Sequence, residues 1–212
     1  TGTATATDKN NNALKIEYSV DGNNWTTDPS TITATEVKDS KIVKVRVSSE
    51  GNYAGYVTVE QKLTITPRPV TIKATDNSVV YDGQAHGANE EKPYEVKAAD
   101  AKSGLVSGHE ESNVKIEFTA IDVGTYTDKL EIAKADVRIK NGDVDVTENY
   151  DIKVEPGTLT ISKGKIEDYV TLTPVDVTEV YDGEPHATGT ATATDKNNNA
   201  LKIEYSVDGN NW

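Results

Sequence analysis

The chain contains no cysteine, so a disulfide framework, a thiolate metal site and a cysteine nucleophile are all excluded. No apolar run approaches the roughly 20 residues a membrane-spanning helix needs, and no stretch reads as a secretory signal, although a piece excised from a longer array would carry neither. Basic residues are scarce: 22 Lys and Arg stand against 35 Asp and Glu, a net charge of −13. Nucleic-acid binders need basic patches, so that class is excluded, and the surplus of one sign suits a soluble, self-repelling surface. Only 35% of the 212 residues are hydrophobic, which limits the chain to thin cores. Thr, Val, Ile and Tyr dominate the ordered-looking segments, and β-branched and aromatic side chains fit half-buried pleated surfaces. The composition is that of an all-β protein.

What the chain does have is repetition. Residues 1–25, TGTATATDKNNNALKIEYSVDGNNW, recur without change as residues 188–212. Identity over that length at a fixed spacing is the signature of a tandem array. An older repeat lies inside this period. Val80-Tyr81-Asp82-Gly83-Gln84-Ala85-His86 returns as Val180-Tyr181-Asp182-Gly183-Glu184-Pro185-His186. In the same order, Lys15-Ile16-Glu17-Tyr18 matches Lys115-Ile116-Glu117-Phe118, and Asn52-Tyr53 with Leu63-Thr64-Ile65 matches Asn149-Tyr150 with Leu159-Thr160-Ile161. Three segments follow: 1–66, a module lacking its first strand or strands; 67–164, a complete second module; and 165–212, the opening part of another copy of the first.

Along the chain, Thr1, Thr3, Thr5 and Thr7 alternate with small residues in period two and predict a strand with a threonine face. Leu14, Ile16 and Tyr18 alternate with Lys15 and Glu17, a half-buried strand, and Asp21-Gly22-Asn23-Asn24 is a hairpin signal because Gly and Asn tolerate positive φ. Strands are further expected over 42–47 with Val43, Val45 and Val47 inward, 56–65, 71–81, 114–120, 125–133, 137–140 and 150–161. Pro93 and Gly104 bracket a stretch that would pass for a short helix over 94–102, but it aligns with the Thr-Ala strand of the first module and is read as a strand. Many short strands at this spacing predict tandem immunoglobulin-like β-sandwich modules in an elongated array. The join 63–72 has two prolines and no Gly or Ser, so neighbouring modules are expected to be coupled by a short, extended, semi-rigid connection.

The order Tyr-Asp-Gly-x-x-His, a Lys-Ile-Glu-Tyr strand with Asp-Gly-Asn-Asn-Trp, Asn-Tyr and a closing Leu-Thr-Ile-Thr resembles the YDG or MBG type repeats of bacterial, mostly Gram-positive, surface proteins. Ser103-Gly-Leu-Val-Ser-Gly-His109 is similar to phrases in the same repeats. The resemblance implies a cell-surface, cell-wall-attached adhesin or fibre in an extracellular setting, and it transfers no catalytic residue.

Sites of chemistry are weighed residue by residue. The paired motifs Tyr81, Asp82, Gly83, His86 and Tyr181, Asp182, Gly183, His186 lack the converging ligands a metal needs, so they read as hydrogen-bonded turns with packed tyrosines. Asp8-x-Asn10-x-Asn12 opens like a calcium loop but has Ala13 and Ser19 where the glycine and the acidic residue belong. His109-Glu110-Glu111-Ser112-Asn113 has Asn113 in place of the second histidine of a zinc-protease helix and reads as loop. Gly104-Leu-Val-Ser-Gly108 sets its serine one place too late for a nucleophile elbow. Neither an enzyme nor a cofactor is expected.

The function expected is a structural stalk that holds a binding domain away from a cell wall; the alternative is that the repeats themselves bind a host glycan or glycoprotein through Trp25 and Trp212 stacking on sugar. Trp25, just past a turn, reads first as a strand residue packed on its hairpin. Intramolecular Lys–Asn amide bonds are a further candidate, with Lys115 and Asn149, or Lys15 and Asn52, as partners, although the lysines alternate with apolar neighbours and so face solvent. The expected partners are neighbouring repeats of the same protein. Residues 166–187 of one molecule would complete the sheet of residues 1–66 of another, because an incomplete sheet exposes unpaired backbone groups along its edge.

Overall fold

The structure, a computed structural model, describes residues 2–48 and 53–212. It is all-β, and no helical segment among the described residues exceeds a single three-residue 3-10 turn. In chain order the strands are β1 (Lys15–Ser19), β2 (Lys41–Ser48), β3 (Tyr56–Leu63), β4 (Arg68–Ala74), β5 (Asn77–Val80), β6 (Tyr94–Lys97) and β7 (His109–Ser112). They continue with β8 (Gly124–Leu130), β9 (Arg138–Asn141), β10 (Val144–Asp145), β11 (Tyr150–Glu155), β12 (Gly157–Ser162), β13 (Val170–Thr173) and β14 (Thr192–Asp195). They form four three-stranded sheets, β1-β2-β3, β10-β9-β7, β11-β4-β6 and β5-β12-β8, and the pair β13-β14.

The chain divides into two compact units. The first comprises residues 1–72, 96–114 and 134–153. Its meander β1-β2-β3 is antiparallel, with Tyr18 opposite Val45 and Val45 opposite Val59. Alternation puts Val43 and Val45 inside, where they pack with Tyr18 and Ile32, and Ala4, Ile16 and Leu63 close the cluster. Ile139, Val137, Val146 and Tyr150 are buried in the same unit. The second unit comprises 73–95, 115–133 and 154–212. Leu159 and Ile161 of β12 are buried, and their strand pairs in parallel with β5 and antiparallel with β8. The parallel pair needs a long crossover between its strands, supplied by the chain between 80 and 157.

Several expectations meet the backbone differently. Of the strand expected over 94–102, residues 94–97 form β6 and residues 98–102 turn instead. The threonine face near the N-terminus forms none: residues 2–8 carry only the isolated bridge Thr7–Ala13. The identical sequence at 192–195 is strand β14, paired with β13. A period-two pattern selects a face, but a strand exists only when its backbone finds a partner. The same rule governs Lys202 to Tyr205, which is unpaired although its copy is β1. Side chains over 114–120 alternate between half-buried and exposed as expected, yet only Ala120 bonds, to His86. Conversely His109 to Ser112, expected as loop, is strand β7 against β9.

Candidate functional site

The repeated Tyr-Asp-Gly stretches are self-clamped turns. Asp82 Oδ1 accepts the Gln84 N–H at 2.8 Å and lies 2.8 Å from His86 Nε2; Asp182 does the same with Glu184 and His186, at 2.9 Å each. An aspartate bonding its own backbone two residues on is an Asx-turn, and the glycine that follows sits at φ +82° or +84°, where a Cβ is strained. The Gln84 amide, and then His86, hold the Asp82 carboxyl below the usual carboxylate range. The environments of the two turns diverge. Tyr81 donates its N–H to Ser162 and its ring lies tilted 6.4 Å from Tyr169, whereas Tyr181 is 94% exposed.

The calcium-like loop is likewise satisfied by its own donors. Asp8 accepts from Asn10 N–H, Asn12 N–H and Asn12 Nδ2 at 2.8 to 3.0 Å, and Asp195 repeats the arrangement with Asn197 and Asn199. A cation site needs oxygens turned to a common centre, whereas here amide hydrogens occupy the carboxylate. The bonds from Asn12 and Asn199 depress these carboxyls. Among the described residues no three His, Asp or Glu converge on a metal position.

Trp25 is held from two sides. Its Nε1 donates to Gly22 O at 3.1 Å, and the Arg46 guanidinium lies 4.0 Å from the ring centroid, a cation–π contact. Arg46 is itself fixed by Glu17, its cross-strand neighbour, at 2.8 Å. One ring face is thus covered by the module's own arginine. Trp212, in the second copy, is 72% exposed. Of the proposed amide partners, Lys15 pairs with Glu17 at 3.3 Å and Lys115 is exposed; Asn149 Oδ1 accepts the Val37 N–H at 2.8 Å. Asn52 lies outside the described residues. An amide bond needs the lysine amine held against its asparagine out of solvent, and Lys115 is exposed.

Two arrangements are not visible in the sequence. Arg68 donates from Nε to Gly104 O at 2.8 Å and from Nη2 to Ala101 O and Ser103 O at 3.1 and 2.6 Å. Ser103, buried, accepts from the Ala99 and Asp100 amides through Oγ. The buried Tyr150 hydroxyl accepts the Val106 N–H at 3.1 Å and meets His109 Nδ1 at 2.7 Å. These bonds tie the Ser-Gly-Leu-Val-Ser-Gly-His phrase to the Asn-Tyr pair more than forty residues away. The co-occurrence of the two phrases in one repeat is the only signal the sequence offers.

The arrangement orders turns and joins strands. The MBG domain family model matches residues 68–163, the family to which the repeated motifs pointed. No curated protein and no solved structure matches the chain. No helix among the described residues is long and apolar enough to cross a membrane.

Proposed function

We propose that the chain is a structural spacer: a repeat of a cell-surface adhesin or fibre, extracellular and wall-attached, that projects a binding domain without reacting itself. The observation that carries this reading is the seam between the opening repeat and the MBG-matching segment. Val37, in the opening repeat, donates to the Asn149 side chain of the Asn-Tyr pair, and residues 1–72 belong to one compact unit with 96–114 and 134–153. Repeats joined only by a flexible tether would each form a unit of their own. Packing across the join, together with the Pro67 and Pro69 stiffeners and like-charge repulsion, keeps an array extended. The recurrence of residues 1–25 at 188–212 supports the tandem arrangement, and the family of the central segment supports the surface setting.

The competing role, sugar binding through tryptophan, needs an open ring face, and in the first copy Arg46 covers one face of Trp25. A glycan array probed with this chain separates the two. The spacer reading expects no glycan bound above background, and saturable binding that Trp25→Ala or Trp212→Ala weakens and the double variant abolishes would replace it with the adhesion-module reading.

A further inference from the structure

Residues 163–169 join strand β12 of the MBG-matching segment to strand β13, and both strands belong to one compact unit. By composition the join is a loose tether: Lys163 and Lys165 are exposed, and Gly164 between them has the widest backbone freedom of any residue. One 3-10 turn, Ile166–Asp168, orders the backbone, with Asp168 N–H donating to Lys165 O at 3.1 Å and Tyr169 N–H to Ile166 O at 3.0 Å. An isolated turn is marginal in water, so the order of this join has another source.

Tyr169, at the end of the turn, is half-buried although residues 165–168 before it are exposed. The edge of its ring lies against Gly164, where a Cβ would come within 2.5 Å of Tyr169 Cε2, 3.1 Å of Cδ2 and 2.9 Å of Tyr81 O. Gly164 has no positive φ, so space and not backbone conformation requires the glycine. The Tyr81 ring is tilted by 56° with 6.4 Å between centroids, within the range of an aromatic pair. Lys196 Nζ stands 4.3 Å from the Tyr169 centroid, a cation–π contact. Register accounts for the lysine: Val170 of β13 pairs with Asp195 of β14, so the next residues outward, Tyr169 and Lys196, face each other. The Asp195 carboxylate holds the turn that follows by accepting the Asn197 and Asn199 amides. Asn197 Nδ2 in turn reaches the Tyr-Asp-Gly turn, 3.8 Å from where a Cβ on Gly83 would stand.

We infer that Tyr169 is a pin that locks the join at residues 163–169, seated in the notch that Gly164 leaves beside Tyr81 and capped by Lys196, and that the join is a hinge once the pin is withdrawn. The ring is gripped from both directions along the chain. Tyr81 and Gly164 come from the MBG-matching segment and its exit, whereas Lys196 comes from the strand pair that follows. A side chain held between the two leaves neither free to swing about Gly164. The join at Arg68 is fastened by other chemistry, a guanidinium bonded to the carbonyls of Gly104, Ala101 and Ser103. One period therefore carries a polar fastening and an aromatic one. The inference concerns local order at this join and does not rest on the spacer reading.

Trypsin reads the lock, because Lys163 and Lys165 are exposed and cleavage of a folded chain follows the population of its locally opened form. In the full chain, Tyr169→Ala is expected to speed cleavage after these two lysines about tenfold, while Tyr169→Phe, which keeps the ring, stays within about twofold of the parent. Gly164→Ala, whose methyl takes the space of the ring edge, is expected to speed it about tenfold as well. Changes that act through one contact do not multiply: the double variant Gly164→Ala/Tyr169→Ala is expected to match Tyr169→Ala within about threefold, against roughly a hundredfold over the parent for independent effects. Lys129 of β8, exposed and in the same unit, reports on the fold as a whole, and cleavage there is expected to stay at the parent rate. Parent-rate cleavage of either alanine variant, Tyr169→Phe cleaved as fast as Tyr169→Ala, effects that multiply, or equal acceleration after Lys129 overturns the lock.

Discussion

Replacing Tyr150 by Phe removes one oxygen and leaves the ring, so it isolates the bond that ties two distant phrases of the repeat. Tyr150 is 7% exposed and its hydroxyl serves the Val106 amide at 3.1 Å and His109 Nδ1 at 2.7 Å. A buried group left without its partner costs about 1–3 kcal/mol. Both partners sit nearer the surface than the hydroxyl, and water recovers part of the loss, which points to about 2 kcal/mol locally. Amide hydrogen exchange across 99–112 reads this directly, because protection reports local opening, and about 2 kcal/mol corresponds to roughly 30-fold faster exchange. Tyr126→Phe is the control: its hydroxyl donates to the exposed Asp122 carbonyl at 2.8 Å, and a surface change of that kind stays within about 0.5 kcal/mol. If Tyr150→Phe exchanges no faster over 99–112 than Tyr126→Phe, the hydroxyl does not hold the two phrases together and the reasoning fails.

Gly157→Ala is expected to destabilise the second unit by about 1–3 kcal/mol in urea unfolding, because the new methyl would sit 2.8 Å from Ala74 O and 3.0 Å from Thr75 O, both backbone atoms; Gly2→Ala, with nothing within 4 Å, is expected to leave the transition unmoved. The aspartates that clamp the turns, Asp8, Asp21, Asp82 and Asp195, are all depressed from 3.8 by donated hydrogen bonds. Depression means the folded chain binds fewer protons, so their contribution is full above the unfolded carboxylate range and fades as pH falls through the folded values. Turn amides such as Asn12 and Asn24 are therefore expected to lose exchange protection progressively as pH falls below about 4 and to be unchanged between pH 6 and pH 8. Intact mass is expected to equal that of the sequence; a loss of one ammonia would restore the Lys–Asn cross-link that the exposed Lys115 argues against.

The sequence carries the fold where periodicity coincides with a local partner. Lys15 to Ser19 and Lys41 to Ser48 alternate cleanly and pair with each other, and Asp21-Gly22-Asn23-Asn24 turns where its glycine is needed, at φ +81°. It fails where the partner decides. One 25-residue sequence gives β1 and no threonine strand near the N-terminus, and β14 without a Lys-Ile-Glu-Tyr strand near the C-terminus. Tyr18 is 2% exposed in one copy, and its twin Tyr205 50% in the other, although the tyrosine hydroxyl accepts the same amide, Ala4 or Ala191, in both. Local bonds are written in the sequence, whereas burial belongs to the neighbour. The functional residues divide similarly. The aspartate turns are legible from Asp, Gly and Asn spacing. The Arg68 clamp and the Tyr150–His109 bond depend on contacts across 33 to 41 residues, for which no local pattern exists.

The central claim is that repeats of this chain are joined stiffly through packed seams such as the Val37–Asn149 bond. Small-angle X-ray scattering of proteins carrying one, two and three copies of residues 1–187 tests it. The account predicts a maximum dimension that rises in direct proportion to copy number. Growth only as the square root, the law for flexibly tethered units, would contradict it.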